Sequence, residues 1–196
     1  MTADKPDIPE EISKVKLSEW FSGLSDREKV KVKRYLKDAD TSSAYNFSMK
    51  IMAASFEEEN YSVAVLIGEN ILKAHLTPIE RFDALEAIIP SYFGAKKYGE
   101  CLKCCEEGLA MISGLKEKLV QRNNGILPER IQCRNYTINV LVGVNGNYDE
   151  GDKALDRFFE MGLISEEDVE YRKQSHKIHR LQRTFDGVFS VKLKDQ

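Results

Sequence analysis

Three sets of residues in this chain have the types and spacing to do chemistry: a cysteine cluster, a few histidines and two basic runs. Cys101, Cys104 and Cys105 stand within little more than one helical turn, with Cys133 far along the chain. Thiolates so close together suit a soft metal. A structural zinc site, however, joins two separated ligand pairs on turns, and no second pair accompanies this cluster. The cysteines therefore read as reduced, buried thiols acting as small hydrophobes, with no metal and no cofactor expected. His75 follows a helix end, where a donor suits exposed carbonyls. His176 and His179 are three apart, so they share a helix face, but no Asp or Glu stands near them in sequence. None of the three adjoins a nucleophile or metalloprotease motif. Gly143-Val144-Asn145-Gly146 lacks the Lys-Ser/Thr of a phosphate loop and follows a helix, so it reads as a turn. No catalytic residue is expected, and the chain reads as a non-enzyme.

The basic runs carry a different chemistry. Arg27, Lys29, Lys31, Lys33, Arg34 and Lys37 crowd one short helix. Arg172, Lys173, Lys177, Arg180 and Arg183 crowd another, among Tyr171, His176 and His179. Such helices can contact phosphates, which makes RNA binding through residues 27–37 and 171–183 an alternative reading. Yet acidic residues open both helices, and acids first with bases last is the order a helix dipole favours on a solvated face.

Bulk composition supports the ordinary explanation. With 196 residues, 42% hydrophobic and 31% charged, the chain can bury a sizeable core. A net charge of −3 recruits neither nucleic acid nor membrane by itself. Residues 1–11 lack the basic start and apolar centre of a signal peptide. No run approaches the ~18 apolar residues of a spanning helix. Cytoplasmic location, reduced thiols and no membrane association are the resulting expectations.

The elements that must position these residues are helices. Ser25-Asp26-Arg27-Glu28 and Thr77-Pro78-Ile79-Glu80 are capping boxes, the second with Pro at the first helical position. Thr41-Ser42-Ser43 and Ser165 supply further caps. Asn123-Asn124-Gly125 supplies left-handed residues that end a helix. Helices are expected from about Glu10 to Phe21, from Ser25, from the Thr41-Ser42-Ser43 caps to the Glu57–Asn60 turn, from Tyr61 to about His75, from Thr77, from Tyr98 to roughly Gln121, from Pro128 to Val144, from Tyr148 to Met161, and from Ser165 to about Thr184. Pro90 is expected to kink or shorten its helix, and Asp186-Gly187 to turn the chain. No alternating strand pattern appears, so the class is all-α.

A pattern recurs at three of these helix starts. Tyr61, Tyr98 and Tyr148 are each followed three positions later by a small residue: Ala64, Cys101 and Gly151. Seven positions on come Gly68, Cys105 and Leu155, and Phe56, Tyr92 and Val142 lie near the end of the preceding helix. Tyr98 follows Tyr61 by 37 residues and precedes Tyr148 by 50. This resembles the tetratricopeptide repeat, whose period is about 34 residues. The early Trp and Gly of that family are missing, and the longer interval needs an extended helix or loop around Ser113 to Leu127.

The resemblance implies an αα-hairpin superhelix. Residues 1–40 would add N-terminal helices to the same fold, 41–164 would form three hairpins, and 165–196 a capping helix with a tail. It also implies a scaffold that holds a peptide or partner protein on the face lined by the first helix of each hairpin. Lys50, Asp83, Glu86 and Tyr136 would project there, and their mixed charge does not match a basic clamp for an acidic C-terminus. The last helix carries a narrow apolar stripe of Tyr171, Ile178, Leu181 and Phe185, which suits either a cap or the seam of a homodimer. A self-associating structural subunit is therefore a further alternative.

Overall fold

The computed structural model describes residues 8–37 and 39–192, and all regular structure among them is helical. None of the described helices is long and apolar enough to cross a membrane. The chain divides into two compact units, Met1–Leu115 and Lys116–Gln196. The first holds α1 (Glu10–Lys14), α2 (Ser18–Ser22), α3 (Asp26–Lys33), α4 (Ala44–Glu57), α5 (Tyr61–Ile71), α6 (Pro78–Gly94) and most of α7 (Tyr98–Arg122). The second holds the end of α7, α8 (Gln132–Ile138) running into a π-helical segment (Asn139–Val144), α9 (Tyr148–Glu160) and α10 (Glu166–Lys192).

Local sequence signals set several of the helix starts. The Ser25 hydroxyl accepts the Glu28 amide while the Glu28 carboxylate accepts the Ser25 amide at 2.8 Å. Thr77 and Glu80 repeat the exchange, with 2.9 Å for the amide of Thr77. Ser43 accepts the Asn46 amide at 3.0 Å, a bond whose loss on substitution by Ala typically costs ~1 kcal/mol. Ser165 does the same for Asp168 at 3.1 Å.

In the first unit α5 lies between α4 and α6. Phe47, Ile51 and Met52 of α4, Val63, Ala64, Ile67 and Ile71 of α5, and Phe82, Leu85, Ile88 and Ile89 of α6 form its buried core. Helices can approach this closely only where side chains are small. A Cβ at Gly68 would run into the Ile88 side chain and stand 3.0 Å from Met52 Sδ, so glycine is required there. Cys101 and Cys105 are fully buried at the start of α7, and the Cys101 thiol donates to the Ile89 carbonyl at 3.7 Å.

Three hairpin turns share one local geometry. Glu59, Lys96 and Gly146, each two residues before a helix-opening Tyr, have φ of +57°, +59° and +65°. In the first two, the following amide reaches five residues back, Asn60 to the Ser55 carbonyl at 2.8 Å and Lys97 to that of Tyr92 at 2.9 Å. This is a Schellman closure, which satisfies carbonyls left open at a helix end. In the third, Asn147 reaches six back, to Leu141 at 2.7 Å, because the π-helical segment holds one more residue per turn.

Several boundaries differ from the sequence reading. The stretch from Glu10 to Phe21 is two helices, because Lys16 turns left-handed at φ +59° and the Leu17 amide closes back on Ile12. The helix opened by Tyr61 ends at Ile71, short of His75. Pro90 does not end α6, which continues to Gly94. Pro90 is buried within α6, and its missing amide removes one backbone bond from that helix. The helix expected from Pro128 starts at Gln132 after an extended Ile131 (φ −117°, ψ 108°). Arg134 satisfies carbonyls around that loop, bonding those of Glu129 and Leu163. Asp186-Gly187 does not turn the chain, and α10 runs on to Lys192. The last residues of the tail, 193–196, lie outside the described residues.

The aromatic partner of the second hairpin is Phe93, not Tyr92. Phe56 stands 5.7 Å from Tyr61 and Phe93 5.5 Å from Tyr98, ring centre to ring centre. Tyr92 is buried and its hydroxyl donates to Glu69 at 3.2 Å. Burial, followed by the Glu69 carboxylate, raises its pKa.

Candidate functional site

In the second unit a surface depression lies between the end of α8 with its π-helical segment and α10. Ile138, Asn139, Val142 and Gly143 form one wall, and Tyr171, Arg172 and His179 of α10 form part of the other. The groove encloses about 470 Å³. Its wall on the α8 side is the π-helical segment, a backbone form that appears often at functional sites. The lining combines aliphatic and aromatic surface with a guanidinium, imidazoles, an amide, a carboxylate and two hydroxyls.

Beneath it, α9 and α10 are joined by a ladder. Asp156 pairs with Lys173 at 2.5 Å, Asp152 with His176 at 2.7 Å, and Asp149 with Arg180 at 2.7 Å. The helices run antiparallel, so acids spaced three and four apart meet bases spaced the same way. His176 is buried, and its ring lies edge-on to Tyr148 at 5.8 Å. Arg180 also covers the Tyr148 ring at 5.5 Å. A Cβ at Gly151 would collide with Val142, so α9 meets the π-helical segment through a glycine.

This ladder corrects the sequence reading of His176, which has an aspartate partner 24 residues away. The signal was present as Asp149, Asp152 and Asp156 mirrored by Lys173, His176 and Arg180, legible only once the two helices are known to face each other. It also changes the status of the basic run. Lys173 and Arg180 spend their charge on α9, and Arg172 lies among the groups that hold the Asp168 carboxyl low, after the Ser165 hydroxyl and amide geometry. Arg183 reaches the Gly146 turn beside a depression of about 360 Å³ at the start of α9. Lys177 is exposed.

In the first unit the basic run of α3 is likewise partly engaged. Lys31 donates to Ser62 at 3.2 Å, and Arg34 stands 3.4 Å from Glu58, which also accepts the Tyr35 hydroxyl at 3.0 Å. Lys50 is exposed on α4, and Asp83 and Glu86 are half-buried on one side of α6. Tyr136, half-buried on α8, belongs to the second unit. The Asp40 carboxyl is held low chiefly by its Ser42 bonds, with a smaller contribution from Lys50.

The cysteines offer little reactivity. Cys104 is pushed up to about 12, mainly by burial and then by Glu107, which keeps it a thiol at neutral pH. Cys101 is lowered by its bond with Cys105, yet both are fully buried. Among the described residues, no three His, Cys, Asp or Glu side chains converge as metal ligands would. Comparison with protein-family models, with curated proteins and with solved structures finds no match for the chain.

Proposed function

We propose that this chain is a tetratricopeptide-like hairpin protein that works without catalysis, by holding a segment of another protein against the first helices of its hairpins. The observation that carries this reading is the shared turn. Three hairpins have a left-handed residue two positions before a Tyr, and a fully buried or glycine position three after it. Equivalent turns give equivalent hairpins, and the first helices, α4 and α6 in the first unit and α8 in the second, are then the ones offered to a partner. Lys50, Asp83 and Glu86 are the proposed anchors on the first unit; on the second, Tyr136 is the proposed anchor and the groove along α8 and its π-helical segment supplies apolar contact area.

The test starts with affinity purification from the native host and mass spectrometry, to obtain the partner. Binding is then compared for Lys50→Ala with Glu86→Ala and for Arg172→Ala with Arg180→Ala. Loss of tenfold or more in affinity is expected for the first pair, because two polar anchors are removed. Loss only in the second pair, with nucleic acid as the ligand, would replace this reading by phosphate binding.

A further inference from the structure

We propose that the groove of the second unit reads a hydrogen-bond donor on its occupant through Nε2 of His176, whose tautomer Asp152 fixes. The occupant is an uncharged stretch of the partner protein that carries a hydroxyl or amide beside an aliphatic side chain. This deepens the partner-binding reading and rests on it. His176 is only 7% exposed, yet it lines the groove. Its Nδ1 meets Asp152 Oδ1 at 2.7 Å, and a Cβ on Gly151 would stand 3.5 Å from its Cε1. Helix α9 thus takes Nδ1 and Cε1, which leaves Nε2 and Cδ2 as the ring atoms for the groove. Among the described residues no hydrogen bond engages Nε2.

Asp152 decides what Nε2 offers. An ionised carboxylate only accepts, so the proton of the neutral ring sits on Nδ1 and Nε2 keeps its lone pair. The Tyr148 ring, edge-on at 5.8 Å, packs against the imidazole and helps to hold its plane. A nearly buried acceptor discriminates between occupants, because one that lacks the donor leaves it unpaired. The charges of the groove favour a neutral donor. Arg172 and Asp168 line it with opposite fixed charges, so an ammonium meets the first and a carboxylate the second, whereas a hydroxyl or amide meets neither penalty. Ile138 and Val142 supply the aliphatic wall.

Protonation reverses the site. An imidazole gains its proton between about pH 8 and pH 5, and His176 would then present an N–H to the donor of the occupant. The groups around this ring are Tyr148, Asp149, Asp152 and Asp156 of α9, with Arg172, Lys173, His179 and Arg180 on α10. The π-helical segment carries no charged side chain. Of these groups His179 is a second imidazole, so the test uses the full chain in a His179→Gln background.

Long-range nitrogen–proton correlation spectra of the free chain at about pH 8 should place the His176 proton on Nδ1. The binding probe is the capped peptide acetyl-Leu-Thr-Leu-amide, followed by the methyl shifts of Ile138 and Val142. Binding is expected at about pH 8 and should weaken roughly tenfold or more at about pH 5, with the helical signal unchanged. Asp152→Asn keeps the shape but lets Nδ1 accept as well as donate, so affinity should fall by a similar factor. Lys173→Gln breaks the neighbouring rung of the ladder and should leave affinity as it was. A proton on Nε2 in the free chain, methyl groups that do not respond, or binding indifferent to pH would overturn the proposal. Equal losses in the Asp152 and Lys173 variants would overturn it too, as loosening of α9 against α10. The partner-binding reading is decided separately, by the Lys50 and Glu86 variants on the first unit.

Discussion

Ala64 has no exposed surface three residues into α5, and its methyl group is all the space between α5 and its neighbours allows. Ala64→Leu should force neighbouring side chains out of their preferred rotamers and cost about 1–3 kcal/mol, read by denaturant unfolding. A variant as stable as the parent would mean the crossing is looser than its burial implies. Lys96 makes the converse case. Its φ of +59° is a conformation that costs a non-glycine residue, and its side chain is exposed. Lys96→Gly should therefore stabilise the chain by roughly 0.5–1 kcal/mol, less than the full strain because glycine gains freedom in the unfolded state. At this scale sequence reasoning located the small buried positions 64, 101 and 151, because their spacing from a Tyr is local. It did not locate the Asp152–His176 pair, because that pairing depends on which helix faces which.

Among the elements, those with chemical punctuation were legible. The capping boxes at Ser25 and Thr77 form as their four-residue patterns require, since each bond lies within one turn. The start of α8 was not legible, because its loop is held by Arg134 reaching the carbonyl of Leu163, 29 residues away. The end of α10 was misread because Asp-Gly favours a turn only where nothing sustains the helix. The Thr77 box yields a pH prediction. The Thr77 hydroxyl, then its amide, lowers the Glu80 carboxyl below its ordinary 4.5. A carboxyl with a depressed folded-state pKa contributes stability that is complete above its ordinary value and lost as pH falls through the folded-state value. Thr77→Ala should thus lower the melting temperature most above pH 4.5, with parent and variant converging as the pH falls further. An offset unchanged across that range would mean that the box does not couple to folding.

For the molecule as a whole, the helical class followed from periodicity and the absence of alternating segments. The division at Leu115–Lys116 did not, because it falls inside α7, a helix with no break in its apolar pattern. Function is less legible still, since a partner is specified by surfaces whose shape depends on every element together. Salt dependence reads the whole surface at once. A complex held by phosphates loses affinity steeply as salt rises, because neutralised phosphates release counterions. With Lys173 and Arg180 already neutralised by aspartates, the partner complex should instead weaken only modestly between low and moderate salt, measured by titration calorimetry.

The π-helical segment before Tyr148 has a consequence for how this chain can be related to others. It accommodates an inserted residue within a helix while the chain still leaves through a left-handed residue two positions before a Tyr. A comparison that confines insertions to loops would shift every residue upstream of Gly146 by one, turning each side chain by about 100° around the helix axis. On the proposed repeat reading, alignment of the third hairpin with the first two opens its gap between Asn139 and Val144, in the middle of continuous helical backbone.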